Sequence, residues 1–143
     1  MFVRTKTIKG NPYGYLVENE WTKKGSRQKV VEYLGRIYEH ETGPERAFPE
    51  HEGMNILKEI VIYETPDDVN VDFEKLHVTR DEKPVVLGIN GGVLCSQTLQ
   101  QVFEALKTKY EERPGITLAR ALRNAGLRIR QEDFIRLYVS TRP

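Results

Sequence analysis

Three extended runs separated by two turn signals occupy the first 38 residues, and they constrain the fold more than any other feature of the chain. The runs are 2–8, 13–22 and 28–38, and they are rich in β-branched and aromatic residues. The intervening segments, Lys9-Gly10-Asn11-Pro12 and Lys23-Lys24-Gly25-Ser26-Arg27, supply residues that favour chain reversal. This pattern predicts an antiparallel β-meander.

The same 38 residues are basic, with eight Lys or Arg against three Glu, a local balance of +5. Cations neutralise phosphates, and flat aromatic rings stack on bases, so the composition indicates nucleic acid as a partner. The predicted contacts are Arg4, Lys6, Lys9, Tyr13, Tyr15, Trp21, Lys23, Lys24, Arg27 and Lys29.

Short motifs in this region resemble the N-terminal module of certain DDE-type insertion-sequence transposases. They are Arg4-Thr5-Lys6, the run from Gly10-Asn11-Pro12 to Tyr15-Leu16-Val17-Glu18, and the run from Gly25-Ser26-Arg27-Gln28 to Leu34-Gly35-Arg36. The resemblance covers about the first quarter of the chain. It implies a module that handles nucleic acid, and it gives no support for transposition, because the spaced Asp, Asp and Glu of the catalytic domain are missing after Arg36.

Length and composition bound the remaining possibilities. A chain of 143 residues with 38% hydrophobic and 30% charged residues suits one globular domain, or a small sheet module with a second subdomain. No apolar run approaches a membrane span and no signal-peptide pattern opens the chain, which predicts a cytoplasmic protein without membrane contact. The single Cys95 excludes an internal disulfide and a zinc site of the usual Cys/His spacing.

Charge is segregated along the chain. Residues 39–84 carry five cations against thirteen acids, whereas residues 85–143 carry nine against five. The acidic middle is a candidate surface for a basic protein partner, and solvation of the surface is the simpler interpretation. Within it, residues 39–53 are rich in Glu, Gly and Pro and are predicted to be an acidic connector between subdomains.

Two segments of the middle region leave alternatives open. The apolar run 55–64 predicts a strand over 57–63, with a helix as the alternative. Asp67, Asp68, Asp72 and Glu74 form an acidic cluster that lacks a calcium-loop pattern, so a solvated turn is favoured over a cation site.

From Val85 onward the pattern predicts a buried strand, a turn at Asn90-Gly91-Gly92, a short return and a helix beginning near Ser96 or Thr98. Thr98 and Gln101 have capping-box spacing. The glycine turn before a helix is either a weak anion-binding loop or a tight structural turn, and the second is favoured.

Apolar residues repeat at helical spacing in three final segments. The first includes Leu99 to Tyr110 and is ended by Arg113-Pro114-Gly115, the second runs to Gly126, and the third covers 131–140. Four arginines form a predicted patch that contacts the nucleic-acid backbone, with surface solvation as the alternative; they are Arg120, Arg123, Arg128 and Arg130.

Together these observations predict an α+β fold with three parts: a basic β-meander over 1–38, a connector over 39–53, and an α/β subdomain over 54–143 that ends in three helices. They predict a non-enzymatic nucleic-acid-binding protein without a cofactor, since no catalytic or metal-binding constellation can be identified. The alternative is an assembly subunit of a ribonucleoprotein or mobile-element complex.

Overall fold

A computed structural model describes residues 1–41, 43, 54–107 and 114–140 of the chain. The elements follow in this order: β1 (Phe2–Ile8), β2 (Asn11–Thr22), β3 (Gly25–Glu39), α1 (Met54–Glu64), β4 (Asn70–Asp72), β5 (His77–Arg80), β6 (Lys83–Pro84), β7 (Val86–Ile89), β8 (Gly92–Leu94), α2 (Ser96–Lys107), α3 (Pro114–Asn124) and α4 (Gln131–Ser140). The predicted α+β class, with an N-terminal antiparallel meander and three C-terminal helices, is confirmed.

The meander is part of a larger sheet. Its three antiparallel strands continue through a parallel pairing of β3 with β7 and an antiparallel pairing of β7 with β8, in the order β1-β2-β3-β7-β8. The parallel contact spans three register pairs, from Ile37 opposite Val86 to Glu39 opposite Gly88. The 1–38 segment and the region after residue 54 therefore share one sheet. Most of the predicted connector, residues 42 and 44–53, lies outside the described residues.

Both hairpin turns of the meander follow from local chemistry. Ile8 pairs with Asn11 across Lys9 and Gly10, and both turn residues have positive φ. Such a turn matches the right-handed twist of the strands it joins. At the second turn, Gly25 has a φ of 109°, and the Thr22 hydroxyl donates to the Gly25 carbonyl and accepts from the Lys24 amide. These bonds fix the position of Lys23 and Lys24 at the tip.

The main core lies between the four helices and the inner side of β7 and β8, and it includes Leu87, Ile89 and Leu94. The strand predicted over 57–63 is wrong, and the helical alternative is correct. Helix α1 buries Ile56, Leu57, Ile60, Val61 and Glu64, which share one helical face.

The acidic cluster lies in and beside a separate three-stranded sheet with the strand order β4-β5-β6. The Asp72 carboxylate accepts hydrogen bonds from the backbone N–H groups of Lys75 and Glu74, and these bonds lower the pKa of its carboxyl group. Asp68 pairs with Arg80 at 2.8 Å, and the Arg80 guanidinium lies 4.3 Å from the centre of the Tyr38 ring. The Asp72 carboxylate therefore stabilises a turn, and the Asp68 carboxylate forms an ion pair on the surface.

Helix α2 begins at the predicted place, with a different cap. The Leu99 amide donates to the Cys95 carbonyl, so Cys95 occupies the N-cap position. The Thr98 hydroxyl accepts from the Cys95 amide at 2.9 Å and donates to the Val93 carbonyl at 2.8 Å. Thr98 is thus the third helical residue, and the predicted capping box from Thr98 to Gln101 is wrong.

The start and the end of α3 are explained by Pro114 and Gly126. Pro114 is the first residue of α3, a position where the backbone N–H would have no partner within the helix, so its absence costs no hydrogen bond. The sequence pattern had instead placed Pro114 at the end of the preceding helix. Gly126, with a φ of 72°, follows α3, and the Leu127 amide donates to the Leu122 carbonyl in a Schellman-type cap. Tyr110 and Arg113 lie outside the described residues.

The backbone at the tip of the β7–β8 hairpin packs directly against the backbone at the end of α3. An ideal Cβ atom built on Gly92 would lie 2.6 Å from the Arg123 carbonyl oxygen, and one on Gly126 would lie 2.7 Å from Cγ1 of Ile89. Only glycine fits at either position, so the pair sets how closely the helical layer approaches the sheet.

We expect Gly126→Ala to destabilise the fold by about 3 kcal/mol, because the new methyl group adds a steric clash to the strain of positive φ. Gly91→Ala is the matched control: its φ is 77°, and an ideal Cβ there meets nothing within 4 Å. The control should lose about 1 kcal/mol. Urea unfolding monitored by circular dichroism measures both, and equal losses would contradict the role assigned to the contact.

Candidate nucleic-acid interface

The register of the meander brings basic and tyrosine side chains to one side of the sheet. Arg4 is opposite Tyr15 and Lys6 is opposite Tyr13 across β1 and β2. On β3, Arg36 is opposite Tyr13 and Tyr33 is opposite Tyr15. Directly opposed residues of antiparallel strands point to the same side. We call this surface the tyrosine side; its residues are Arg4, Lys6, Tyr13, Tyr15, Tyr33 and Arg36.

The three tyrosines form a cluster. The centre of the Tyr33 ring lies 5.2 Å from that of Tyr15 and 6.4 Å from that of Tyr13, with interplanar angles of 51° and 29°. Tyr33 is 55% exposed, whereas Tyr13 and Tyr15 are half-buried. The cluster is therefore partly packed on itself, and Tyr33 is the most exposed of its three rings.

Two arginines on this side are oriented by side-chain amides. An Arg4 guanidinium nitrogen donates to the Gln28 side-chain oxygen, and an Arg36 nitrogen donates to the Asn11 oxygen at 3.0 Å. Both arginines remain exposed. A neutral partner fixes a guanidinium group without cancelling its charge, so both cations keep their attraction for an anion.

A small second core covers the opposite side of the meander at the end that pairs with β7. Ile37 is buried there with Val86, Val93 and Cys95. Gly14 faces the same cluster, because its ideal Cβ would lie 3.4 Å from Val86 and 3.7 Å from Leu34. This core covers only part of the opposite side, whereas Arg4, Lys6, Tyr33 and Arg36 are exposed on the tyrosine side.

Most of the other predicted contacts in the meander do not lie on the tyrosine side. Lys9 lies in the first turn, and Lys23 and Lys24 lie in the second. Arg27 is opposite Glu20 and Lys29 is opposite Glu18, one position out of phase with the tyrosines along β2. Trp21 falls on the same alternation as Tyr13 and Tyr15 and is 84% exposed near the second turn.

The four arginines of the predicted patch have different roles in the structure. Arg128 pairs with Glu64, which is 1% exposed, at 3.1 Å, and it also donates to the Gly43 carbonyl. Arg130 pairs with Glu132 on the surface. Arg120 and Arg123 are exposed on α3. Arg128 therefore binds a buried carboxylate. Of the four arginines, Arg120 and Arg123 are the two whose exposure suits a surface patch.

Asn90 completes the environment of Glu64. Its side-chain nitrogen donates to the Glu64 carboxylate and to the Gly126 carbonyl, each at 2.9 Å. Asn90 and Gly91 have positive φ and form a tight turn, the structural alternative that the sequence favoured. The Asn90 side chain therefore connects α1, the β7–β8 hairpin and the end of α3.

Sequence reasoning left two members of the tyrosine side, Tyr33 and Arg36, out of the predicted contacts. The register of β3 shifts twice, between the positions opposite Gly14 and Tyr15 and between those opposite Leu16 and Val17. A uniform register from the second turn would place Glu32 opposite Tyr15. The two irregularities bring Tyr33 and Arg36 to this surface, and no simple alternation in the sequence reveals them.

Within the part of the chain that the structure describes, no three His, Cys, Asp or Glu side chains are placed to hold a metal ion. No helix in that part has the length and apolar character needed to cross a bilayer. A scan against models of protein families found no match, and searches of curated proteins and of solved structures found none either.

We expect Arg128→Ala to destabilise the protein by about 3 kcal/mol, because it leaves the buried Glu64 carboxylate without its cation. Arg130→Ala is the matched control in the same turn and removes an exposed ion pair, at about 0.5 kcal/mol. Thermal and urea unfolding of both variants measure the difference. Equal and small losses would contradict a structural role for Arg128.

Proposed function

We propose that this chain is a non-enzymatic nucleic-acid-binding protein whose tyrosine side contacts the polynucleotide. One observation carries the proposal: the strand register places Arg4, Lys6 and Arg36 beside a tyrosine cluster on the side of the meander that the small core does not cover. Cations and aromatic rings together meet the two chemical demands of a polynucleotide, phosphate charge and flat bases.

Electrostatics supports binding at this surface. Arg4, Lys6 and Arg36 are exposed, and the first 38 residues carry a balance of +5 in a chain whose net charge is +1. Each phosphate neutralised by such a cation releases condensed counterions, which favours association at low salt.

The tyrosine cluster adds a second kind of contact. Tyr33 is the most exposed of the three rings and offers a ring surface and a phenolic hydroxyl. Tyrosine hydroxyls bond to phosphate oxygens and the rings stack on bases, so the cluster suits either a duplex backbone or an unpaired base.

The resemblance of the meander to the N-terminal module of DDE-type transposases is a further reason to propose DNA as a ligand. The motifs that carry it include Tyr13, Tyr15 and Arg36. These residues lie on the tyrosine side, so the resemblance and the strand register point to the same surface.

The second candidate function is an assembly subunit that docks a basic protein through its acidic middle. Exposed carboxylates on and beside the small β4-β5-β6 sheet favour it, namely those of Asp67, Glu74, Asp81 and Glu82. This surface carries no aromatic cluster comparable with the tyrosine side, which makes it the weaker candidate.

The proposal is tested by fluorescence anisotropy with labelled 30-nucleotide single-stranded and double-stranded DNA and RNA, titrated between 50 and 300 mM salt. We expect binding that weakens steeply with salt, with a log–log slope of about −0.9 per duplex phosphate contacted. The double variant Arg4→Ala/Lys6→Ala should flatten the slope by about 2 and weaken binding roughly 10- to 100-fold near 0.1 M salt.

The charge-matched control is Lys75→Ala/Lys83→Ala, which removes two exposed cations from the small sheet. It should bind as the unaltered protein does. Absence of binding to all four probes at 50 mM salt, or equal losses in the two double variants, would overturn the proposal. Absence of binding would leave docking through the acidic surface as the better account.

A further inference from the structure

The second hairpin of the meander extends past the edge of β1 as a two-stranded ribbon. The last pair between β1 and β2 joins Phe2 to Val17, whereas β2 and β3 continue to pair as far as Thr22 and Gly25. We call residues 18–29 the ribbon arm. All residues from Ser26 to Lys29 are exposed, as is Trp21, so both strands of the arm are accessible to solvent.

The two sides of the ribbon arm differ in chemistry. One side pairs Asn19 with Gln28 and Trp21 with Ser26, which are uncharged groups. The other side pairs Glu18 with Lys29 and Glu20 with Arg27. Along β2 the uncharged side continues the alternation of Tyr13 and Tyr15, and the bond from Arg4 to Gln28 links it to the tyrosine side.

We infer that the ribbon arm reads base edges in the major groove of double-stranded DNA, with its uncharged side toward the floor of the groove. This inference rests on the proposed function and names its ligand class. The major groove of B-form DNA, about 12 Å wide, admits a two-stranded β-ribbon. Asn and Gln side chains bond in pairs to N6 and N7 of adenine, and Ser bonds to several base edges.

The charges of the arm fit the same placement. Lys23 and Lys24 extend from its tip, where the bonds of Thr22 fix the turn. Arg27 and Lys29 lie on the side away from the floor, and long basic side chains there reach toward the phosphates of the groove walls. Glu18 and Glu20 lie opposite these two cations, which reduces their repulsion of the DNA.

The dimensions of the ribbon favour DNA over duplex RNA. Five register pairs beyond Val17, at about 3.4 Å per residue, give an arm of about 17 Å, long enough to lie along several base steps. The major groove of A-form RNA is deep and narrow, and side chains cannot read it. A ribbon that reads bases therefore predicts preference for a DNA duplex of particular sequence.

The experiment begins by selection of binding sites from a library of duplex DNA with a random 20-base-pair segment. The selected duplex is then compared with a scrambled duplex of the same composition, with its single strands and with duplex RNA of the same sequence. We expect at least tenfold preference for the selected DNA duplex. Replacement of adenine by 7-deazaadenine, which removes the N7 acceptor from the major groove and keeps base pairing, should reduce that preference.

The variant Asn19→Ala tests the base-reading side and keeps Gln28, which holds Arg4. Its preference for the selected duplex should fall roughly 5- to 150-fold if Asn19 bonds in pairs to an adenine, while its affinity for the scrambled duplex changes less than threefold. Gln100→Ala, an exposed amide on α2, is the control and should keep the preference. Circular dichroism checks that the variants fold, as expected for changes at exposed ribbon positions.

The inference is overturned if no sequence is enriched, if duplex RNA or single strands bind equally well, or if Asn19→Ala keeps the preference. In each of these cases, salt-dependent binding that Arg4→Ala/Lys6→Ala weakens would leave the proposed function intact. Failure of the proposed function is a different result, since no probe would bind even at 50 mM salt.

Discussion

The parallel pairing of β3 with β7 governs which surfaces of this protein are buried and which are exposed. It places Ile37 beside Val86 and buries both in the small core. Without it, the meander would be a three-stranded sheet with no partner for either side, which is marginal for independent stability. With it, the part of one side around Ile37 is buried, and Arg4, Lys6, Tyr33 and Arg36 stay exposed on the other side. The candidate interface is thus a consequence of how the meander joins the remainder of the chain.

That pairing is itself supported from the helical layer. The β7–β8 hairpin meets α3 at Gly92 and Gly126, where no side chain fits, and Asn90 connects the hairpin tip to buried Glu64. Glu64 is in turn neutralised by Arg128. A buried carboxylate with both a cation and an amide donor is satisfied, whereas one without them would be strongly unfavourable. Strand β7, which pairs with the meander, is therefore held in place by polar contacts as well as by the core.

Much of the fold could be predicted from the sequence, and less of the candidate site. Turn residues and β-branched runs predicted the three strands, and helical periodicity predicted the bounds of α4. The α1 segment was misread because Ile62, which is 65% exposed, fills the helical pattern and makes the apolar run look continuous. For the site, Arg4, Lys6, Tyr13 and Tyr15 were named and do lie together. Arg128 was named for its charge, although its partner Glu64 is distant in sequence and only the fold brings the two together.

Local chemistry along the chain specifies several elements of this protein: the turns at Lys9-Gly10 and before Gly25, the helix stop at Gly126, and the basic, aromatic character of the meander. These depend on backbone preferences and on spacing within one segment, so they can be read from the residues alone. Which side chains share a surface is set by the folded chain, because two register shifts in β3 bring Tyr33 and Arg36 beside the tyrosines. The pairing with β7 then selects the side of the sheet that is buried. Both features depend on contacts between segments far apart in the chain, and no local pattern encodes them.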